Sequence, residues 1–277
     1  MLSIIYGILS ACVWGAGDFV GGIASKRASP IRVLYLAEVA GFVPFLAFAL
    51  ITHEAMPPLI DIFWSSIASL FGLAGLAILY RALADGKMTI TAPVSGLLAA
   101  LIPVAFGFFT LSMPTLTTLC GFGLACLAVW FISQSDSANW RVAFADLRLP
   151  LLSGFFFGSY FILLNHATQH AFFWTLAFAR LAGFIVLAIY ALATRQPAMP
   201  PREVWGYAVL NGILDIGGNA LYVLSAQTGR MDVAAVLSAL YPASTVFLAW
   251  ILLKERISRT QAIGIVLAFI AIVLFTI

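Results

Sequence analysis

The sequence predicts an all-α integral membrane protein of ten transmembrane helices arranged as two inverted five-helix repeats. Three observations carry that reading: an apolar composition, ten apolar runs of spanning length, and an internal correspondence between the halves. Of the 277 residues, 63% are apolar and only 9% are charged, with a mean hydropathy of +1.06. A soluble domain carries about 25% charged residues. With so few, a water-exposed fold of this size would display apolar patches far larger than monomers tolerate. A soluble enzyme is excluded on that ground, and a net charge of +3 is too sparse to track nucleic-acid phosphates.

A spanning helix needs about 20 mostly apolar residues, and breaks at Pro, Gly and charge clusters divide the chain into ten such runs. The first covers 3–24. No Lys or Arg precedes Lys26, so it lacks the basic start of a cleavable signal and is expected to remain as a span. Runs at 31–51, 62–84, 90–111 and 116–133 complete the first half, and the polar stretch 134–148 is the longest connection. Runs at 149–165, 172–194, 204–226, 233–253 and 260–277 form the second. Most connections are short, so neighbouring helices are expected to be antiparallel. Cys12, Cys120 and Cys126 lie in apolar runs, and their odd number fits neither a disulfide framework nor a zinc site.

The midpoint break invites a test for duplication. Shifted by 143 positions, Gly86-Lys87-Met88 falls on Gly229-Arg230-Met231, Ser95 on Ser238, Gly121 on Gly264 and Gly15 on Gly158. A one-residue slip aligns Leu79-Tyr80 with Leu221-Tyr222 and Ala40-Gly41-Phe42 with Ala182-Gly183-Phe184. The units are expected at 1–137 and 138–277. Five helices each, an odd number, forces the copies to enter the membrane in opposite directions, the symmetry common in secondary transporters. Odd-numbered connections hold Lys26, Arg27, Arg32, Arg81, Lys87, Arg141, Arg148, Arg195, Arg202, Lys254, Arg256 and Arg259, while the even ones hold little beyond Arg230. The positive-inside rule then puts both termini outside.

Charges within spans are costly and usually face the bundle interior or a wet cavity. Four qualify: Asp18, Glu38, Arg180 and Asp215. They either form a structural ion pair around Arg180 or act on substrate or protons. The eighth span has a polar stripe, Asn211, Asp215, Asn219 and Tyr222, spaced by four, four and three residues and so on one helical face. That face either hydrogen-bonds neighbouring helices, helped by Gly212, Gly217 and Gly218, or walls a cavity. It is expected to face the third-span surface that carries Tyr80. Trp14, Tyr80, Tyr160, Tyr222 and Tyr241 lie within spans and could bind aromatic solutes or cations, while Trp64, Trp140 and Trp205 fall near span ends as interfacial anchors. Pro93, Pro103 and Pro242 are expected to bend the fourth and ninth spans. His166 and His170 have i, i+4 spacing but no nearby Cys or carboxylate in sequence, so no metal site is expected.

The run Leu240-Tyr241-Pro242, followed by 250–258 and Gln261-Ala262-Ile263-Gly264, resembles the closing part of an EamA-type domain of the drug/metabolite transporter superfamily. Leu79 to Leu83, Gly86-Lys87-Met88, Ala92-Pro93-Val94-Ser95 and Trp14-Gly15-Ala16-Gly17-Asp18-Phe19 resemble other parts of that domain, so the likeness spans the chain as two copies. One departure is that Ser112 stands opposite Glu255, where family members often also have Glu, so Glu255 is read as a loop or helix-end residue. The resemblance implies a central cavity formed by the first, third, fourth, sixth, eighth and ninth spans, and export or exchange of small metabolites, amino acids prominent among them. It also implies cytoplasmic termini, opposite to the charge count, and both orientations stand.

The expected function is therefore a secondary transporter of a bacterial inner membrane. It would take a small-molecule substrate, sit in membrane lipid, draw on a proton or ion gradient, and need no cofactor. Candidate substrate-binding residues are Trp14, Asp18, Glu38, Tyr80, Ser95, Tyr160, Arg180, Asn211, Asp215, Asn219, Tyr222 and Tyr241. Alternatives are a membrane-embedded enzyme, for which neither Gly-x-Ser-x-Gly nor His-Glu-x-x-His occurs, and a passive channel, which would want a continuous polar pore. No Walker sequence is present, so ATP hydrolysis is not expected.

Overall fold

The structure is a computed structural model that describes residues 1–84, 88–132, 148–254 and 257–276, with side chains omitted at 79–84 and 88–93. Tyr80, Pro93, Trp140 and Glu255, as side chains, lie outside that description, as does nearly all of the midpoint connection. The described elements are all helical: α1 (Leu2–Ser25), α2 (Pro30–Ile51), α3 (Leu59–Ala84), α4 (Met88–Thr110), α5 (Leu116–Ile132), α6 (Arg148–Ala167), α7 (Phe173–Thr194), α8 (Trp205–Thr228), α9 (Met231–Ser238), α10 (Tyr241–Leu252) and α11 (Arg259–Thr276). Among the described residues eight segments are long and apolar enough to cross a membrane, with α9 and α10 counted as one, and α5 (17 residues) and the 94–110 part of α4 are apolar as well.

Local chemistry sets several boundaries. Pro30 opens α2, where its missing N–H costs nothing. Arg195 ends α7 in the left-handed conformation, its N–H and that of Gln196 returning to Leu192 and Ala191. Pro242, at the second position of α10, has no N–H for the Ser238 carbonyl, and the ninth span breaks there into α9 and α10. Pro103 leaves α4 unbroken.

The outside is apolar and the inside carries polar groups, the reverse of a water-soluble arrangement. Phe109 is 90% exposed and Leu192 79%, whereas Ser10, Ser65, Ser153, Thr175 and Ser225 are fully buried. In lipid the buried hydroxyls must find partners inside the bundle, and they bond to backbone carbonyls: Ser10 to Gly218, Ser153 to Gly75 and Thr175 to Ala171.

α1 runs antiparallel along α8, joined by Ser3 to Ser225 near one end and Asn211 to Gly17 towards the other. α3 pairs with α6 in the same sense, through Ser153 to Gly75, Phe71 against Phe156 and Trp64 against His166. α2 and α7 are antiparallel, because Glu54 beyond the end of α2 meets the start of α7 while Arg32 at its beginning lies beside Tyr190. α5 and α11 are antiparallel as well, Gly121 meeting Phe275 and Gly264 meeting Ile132. Close approach is set by small residues. A Cβ on Gly15 would lie 2.5 Å from the Tyr241 carbonyl oxygen, and one on Gly158 would lie 2.7 Å from Ile102 Cβ. These directions put Met1, Glu54, His170 and Arg230 at one end of the bundle, and Lys26, Arg27, Arg32, Arg148, Arg195, Arg202, Lys254 and Arg259 at the other.

Candidate functional site

Arg180 on α7 joins two carboxylates from two other helices. Its Nη2 lies 2.5 Å from Asp215 Oδ2 on α8, and its Nη1 lies 3.3 Å from both carboxylate oxygens of Glu38 on α2. The planar fork of a guanidinium can serve both acids at once, which a lysine ammonium would do without fixed geometry. Glu38 is only 5% exposed, and every group of the cluster lies at least seven residues from either end of its helix. At 1.5 Å per residue that is a depth of about 10 Å. Space for the pair comes from glycine: a Cβ on Gly183, one turn after Arg180, would press within 3.0 Å of Glu38 Cδ.

The network continues along α8. Asn219 Nδ2 donates to the Asp215 carbonyl at 2.6 Å and to Asp215 Oδ2 at 3.2 Å, while the Tyr160 hydroxyl of α6 donates to Asn219 Oδ1. Trp14 Nε1 donates to the Asp215 carbonyl at 3.2 Å from α1. Its ring packs beside Phe161 and Tyr222, with centroids 5.6 and 6.2 Å away. Asn211, at the far end of the stripe, donates to the Gly17 carbonyl at 2.8 Å. Asp18 has an exposed side chain, lies within electrostatic reach of Asp215, and makes no hydrogen bond or ion pair among the described residues.

Among the described residues the polar stripe of α8 meets α1, α6 and α7; the Tyr80 side chain expected opposite it lies outside the described residues. The physical cause is the small-residue seam of α8. A side chain on Gly218 would strike the Trp14 ring and one on Gly212 the α2 backbone at Ala37, so α8 lies flush on α1 and α2. Two candidates stand behind the cluster rather than in it. Tyr222 is fully buried and donates to the Phe161 carbonyl at 2.7 Å; Ser95, 3% exposed, donates to the Pro150 carbonyl at 3.0 Å. Tyr241 is half-buried at the break between α9 and α10, against the core of α5, α9 and α11.

Sequence reasoning missed the ties at the end of the bundle that carries Met1. Glu54 accepts the N–H groups of Phe172 and Trp174, each at 2.8 Å, and Asp61 Oδ2 lies 2.9 Å from His170 Nδ1. His170 thus pairs with a carboxylate 109 positions away, while His166 faces the Trp64 ring. Both acids sit in or beside a connection, where a charge gives no periodic signal.

Comparison with known proteins agrees with this architecture. The family described as the EamA-like transporter family matches residues 1–134 and 147–277. A relative from Methanocaldococcus jannaschii, the uncharacterized protein MJ1333.1, is 29% identical over 131 residues, which are 94% of that protein and 47% of this chain. A solved crystal structure shares the fold with a TM-score of 0.80 at 16% identity, covering 99% of this chain and 96% of the other. With both halves matched by the same family, the chain is a member of the EamA-like transporter family, integral to the membrane and of a class that moves small molecules.

Proposed function

We propose that this protein is a secondary transporter, an exporter or exchanger of small organic metabolites with amino acids, including aromatic ones, as its substrate class, working by alternating access in a bacterial inner membrane. The observation that carries this reading is the Arg180 cluster, in which buried ionic groups from both halves of the chain converge. The formal charges of Asp18, Glu38 and Asp215 against Arg180 sum to −2. A low-dielectric interior disfavours uncompensated charge, so the site favours an incoming cation. The ammonium of an amino acid meets Asp18 and Asp215, its carboxylate takes the remaining N–H groups of Arg180, and Trp14 with Tyr160 receives the side chain. Asn211 and Asn219 hold the helix face, Ser95 and Tyr222 brace it, and Tyr80 and Tyr241 extend the path. A proton or other cation moving down its gradient supplies the compensating charge when substrate is absent.

Alternating access follows from ten helices in two inverted units, 1–137 and 138–277. Several features support that arrangement. Ser10 bonded to Gly218 and Ser153 bonded to Gly75 are related by the same 143-position shift. The equivalent second and seventh spans run antiparallel, as do the fifth and tenth. The half-length archaeal relative matches about one unit's worth of sequence.

Purified protein in proteoliposomes preloaded with unlabelled amino acid tests the reading. Saturable counterflow of labelled substrate is expected. Flux that rises linearly without saturation would make the protein a channel, and chemical turnover of the solute would make it an enzyme.

A further inference from the structure

The two ends of the α2–α7 pair are finished differently. At one end the Glu54 carboxylate collects the N–H groups of Phe172, Phe173 and Trp174 at 2.8, 3.2 and 2.8 Å, so the positive end of α7 is met by an anion from the chain itself. At the other end, Gln196 and Pro197 stand 142 and 143 positions after Glu54, and neither is acidic. Ser29 makes no side-chain cap on α2. In place of an internal carboxylate there is a cleft of about 460 Å³ between the end of α7 and the first turns of α2, walled by Tyr35, Leu192, Arg195 and Gln196. Arg32 lines its continuation beside Tyr190.

Arg32 is the unexplained group. Its Nε is buried without a partner, and its guanidinium makes no hydrogen bond or ion pair among the described residues. A charged N–H withheld from water and left unpaired costs several times what a made hydrogen bond gains. In the two flanking connections Lys26, Arg27, Arg195 and Arg202 are basic, Arg27 lies over the Tyr207 ring, and Glu203 is the one acid. Arg32 is the third residue of α2 and Arg195 caps α7. Both therefore stand at the depth where span ends meet lipid headgroups, a level that Tyr35 and Tyr190 also suit.

We propose that this cleft binds the phosphate of an anionic phospholipid headgroup. Arg32 and Arg195 take the phosphate oxygens, and the Leu192 and Ile31 walls receive the glycerol and the first acyl carbons. The proposal rests on membrane residence and is independent of the transport reading.

Thermal unfolding of delipidated full-length protein in detergent, titrated with phosphatidylglycerol, phosphatidylcholine or inorganic phosphate, tests it. Phosphatidylglycerol alone is expected to raise the midpoint saturably. At about 1 kcal/mol per basic residue, R32Q/R195Q should bind it roughly 30-fold more weakly. R195Q, which alters an exposed side chain and leaves the fold intact, should show a partial loss. Lys254→Gln, on the same membrane face but outside the cleft, should show none. Equal responses to the two lipids, or undiminished phosphatidylglycerol affinity in R32Q/R195Q, would overturn the proposal. An equal response to inorganic phosphate would make the cleft a site for soluble anions and overturn the lipid assignment.

Discussion

Glu38 of α2 and Arg180 of α7 stand 142 residues apart in the chain and pair with each other at 3.3 Å. The glycines one turn beyond them, Gly41 and Gly183, correspond in the same register. The acid and the base face each other across antiparallel α2 and α7, and Asp215 from α8 shares the guanidinium.

The pair makes an asymmetric prediction. R180Q leaves Glu38 and Asp215 without their cation and should cost about 3–5 kcal/mol, the range for stranding a buried charge. E38Q leaves Arg180 still bonded to Asp215 and should cost less. The double variant E38Q/R180Q should recover part of the R180Q loss. Unfolding midpoints of the three proteins in one detergent measure the order, and R180Q as stable as E38Q would contradict it.

Ser10 and Ser153 are both fully buried and donate to the carbonyls of Gly218 and Gly75 at 2.8 and 2.9 Å. If the halves are structural copies, S10A and S153A each remove the same bond from the same context. Each should lower stability by about 1 kcal/mol, the net worth of one hydrogen bond. Thermal unfolding of both variants, side by side, checks this. One tolerated and the other unable to fold would argue against equivalence.

Glu54 reaches three backbone N–H groups at the start of α7. E54A removes charge-assisted bonds worth about 1.5–3 kcal/mol each and strands those donors near a helix terminus. E54Q keeps an acceptor and should lose less. Hydrogen exchange at Phe172 to Trp174 should quicken in E54A and far less in E54Q; unchanged exchange in both would remove Glu54 from its role as a clasp.

The membrane setting and the four intramembrane charges were legible in the sequence because lipid makes both conspicuous: long apolar runs are required, and an ionic group among them is costly and rare. The α8 stripe was legible by its helical spacing. Which helices it would face was not, because that depends on the fit of Gly212 and Gly218 against Ala37 and Trp14, contacts some 175 to 204 positions away along the chain. Pro242 announced a bend, and the structure makes it a break. Glu54 and Asp61 gave no warning, since a carboxylate in or beside a connection looks like any solvated charge until its partner on the other half is known.

The central claim is that Asp18 and Asp215 form the substrate's ammonium site beside Arg180. Counterflow of labelled aromatic amino acid into proteoliposomes, compared between wild type, D18N and D215N at equal reconstituted amounts and matched unfolding midpoints, tests it directly. The account predicts saturable exchange in the wild type and at least a tenfold loss in both variants, the effect of about 1.4 kcal/mol. Wild-type exchange in both D18N and D215N would contradict it.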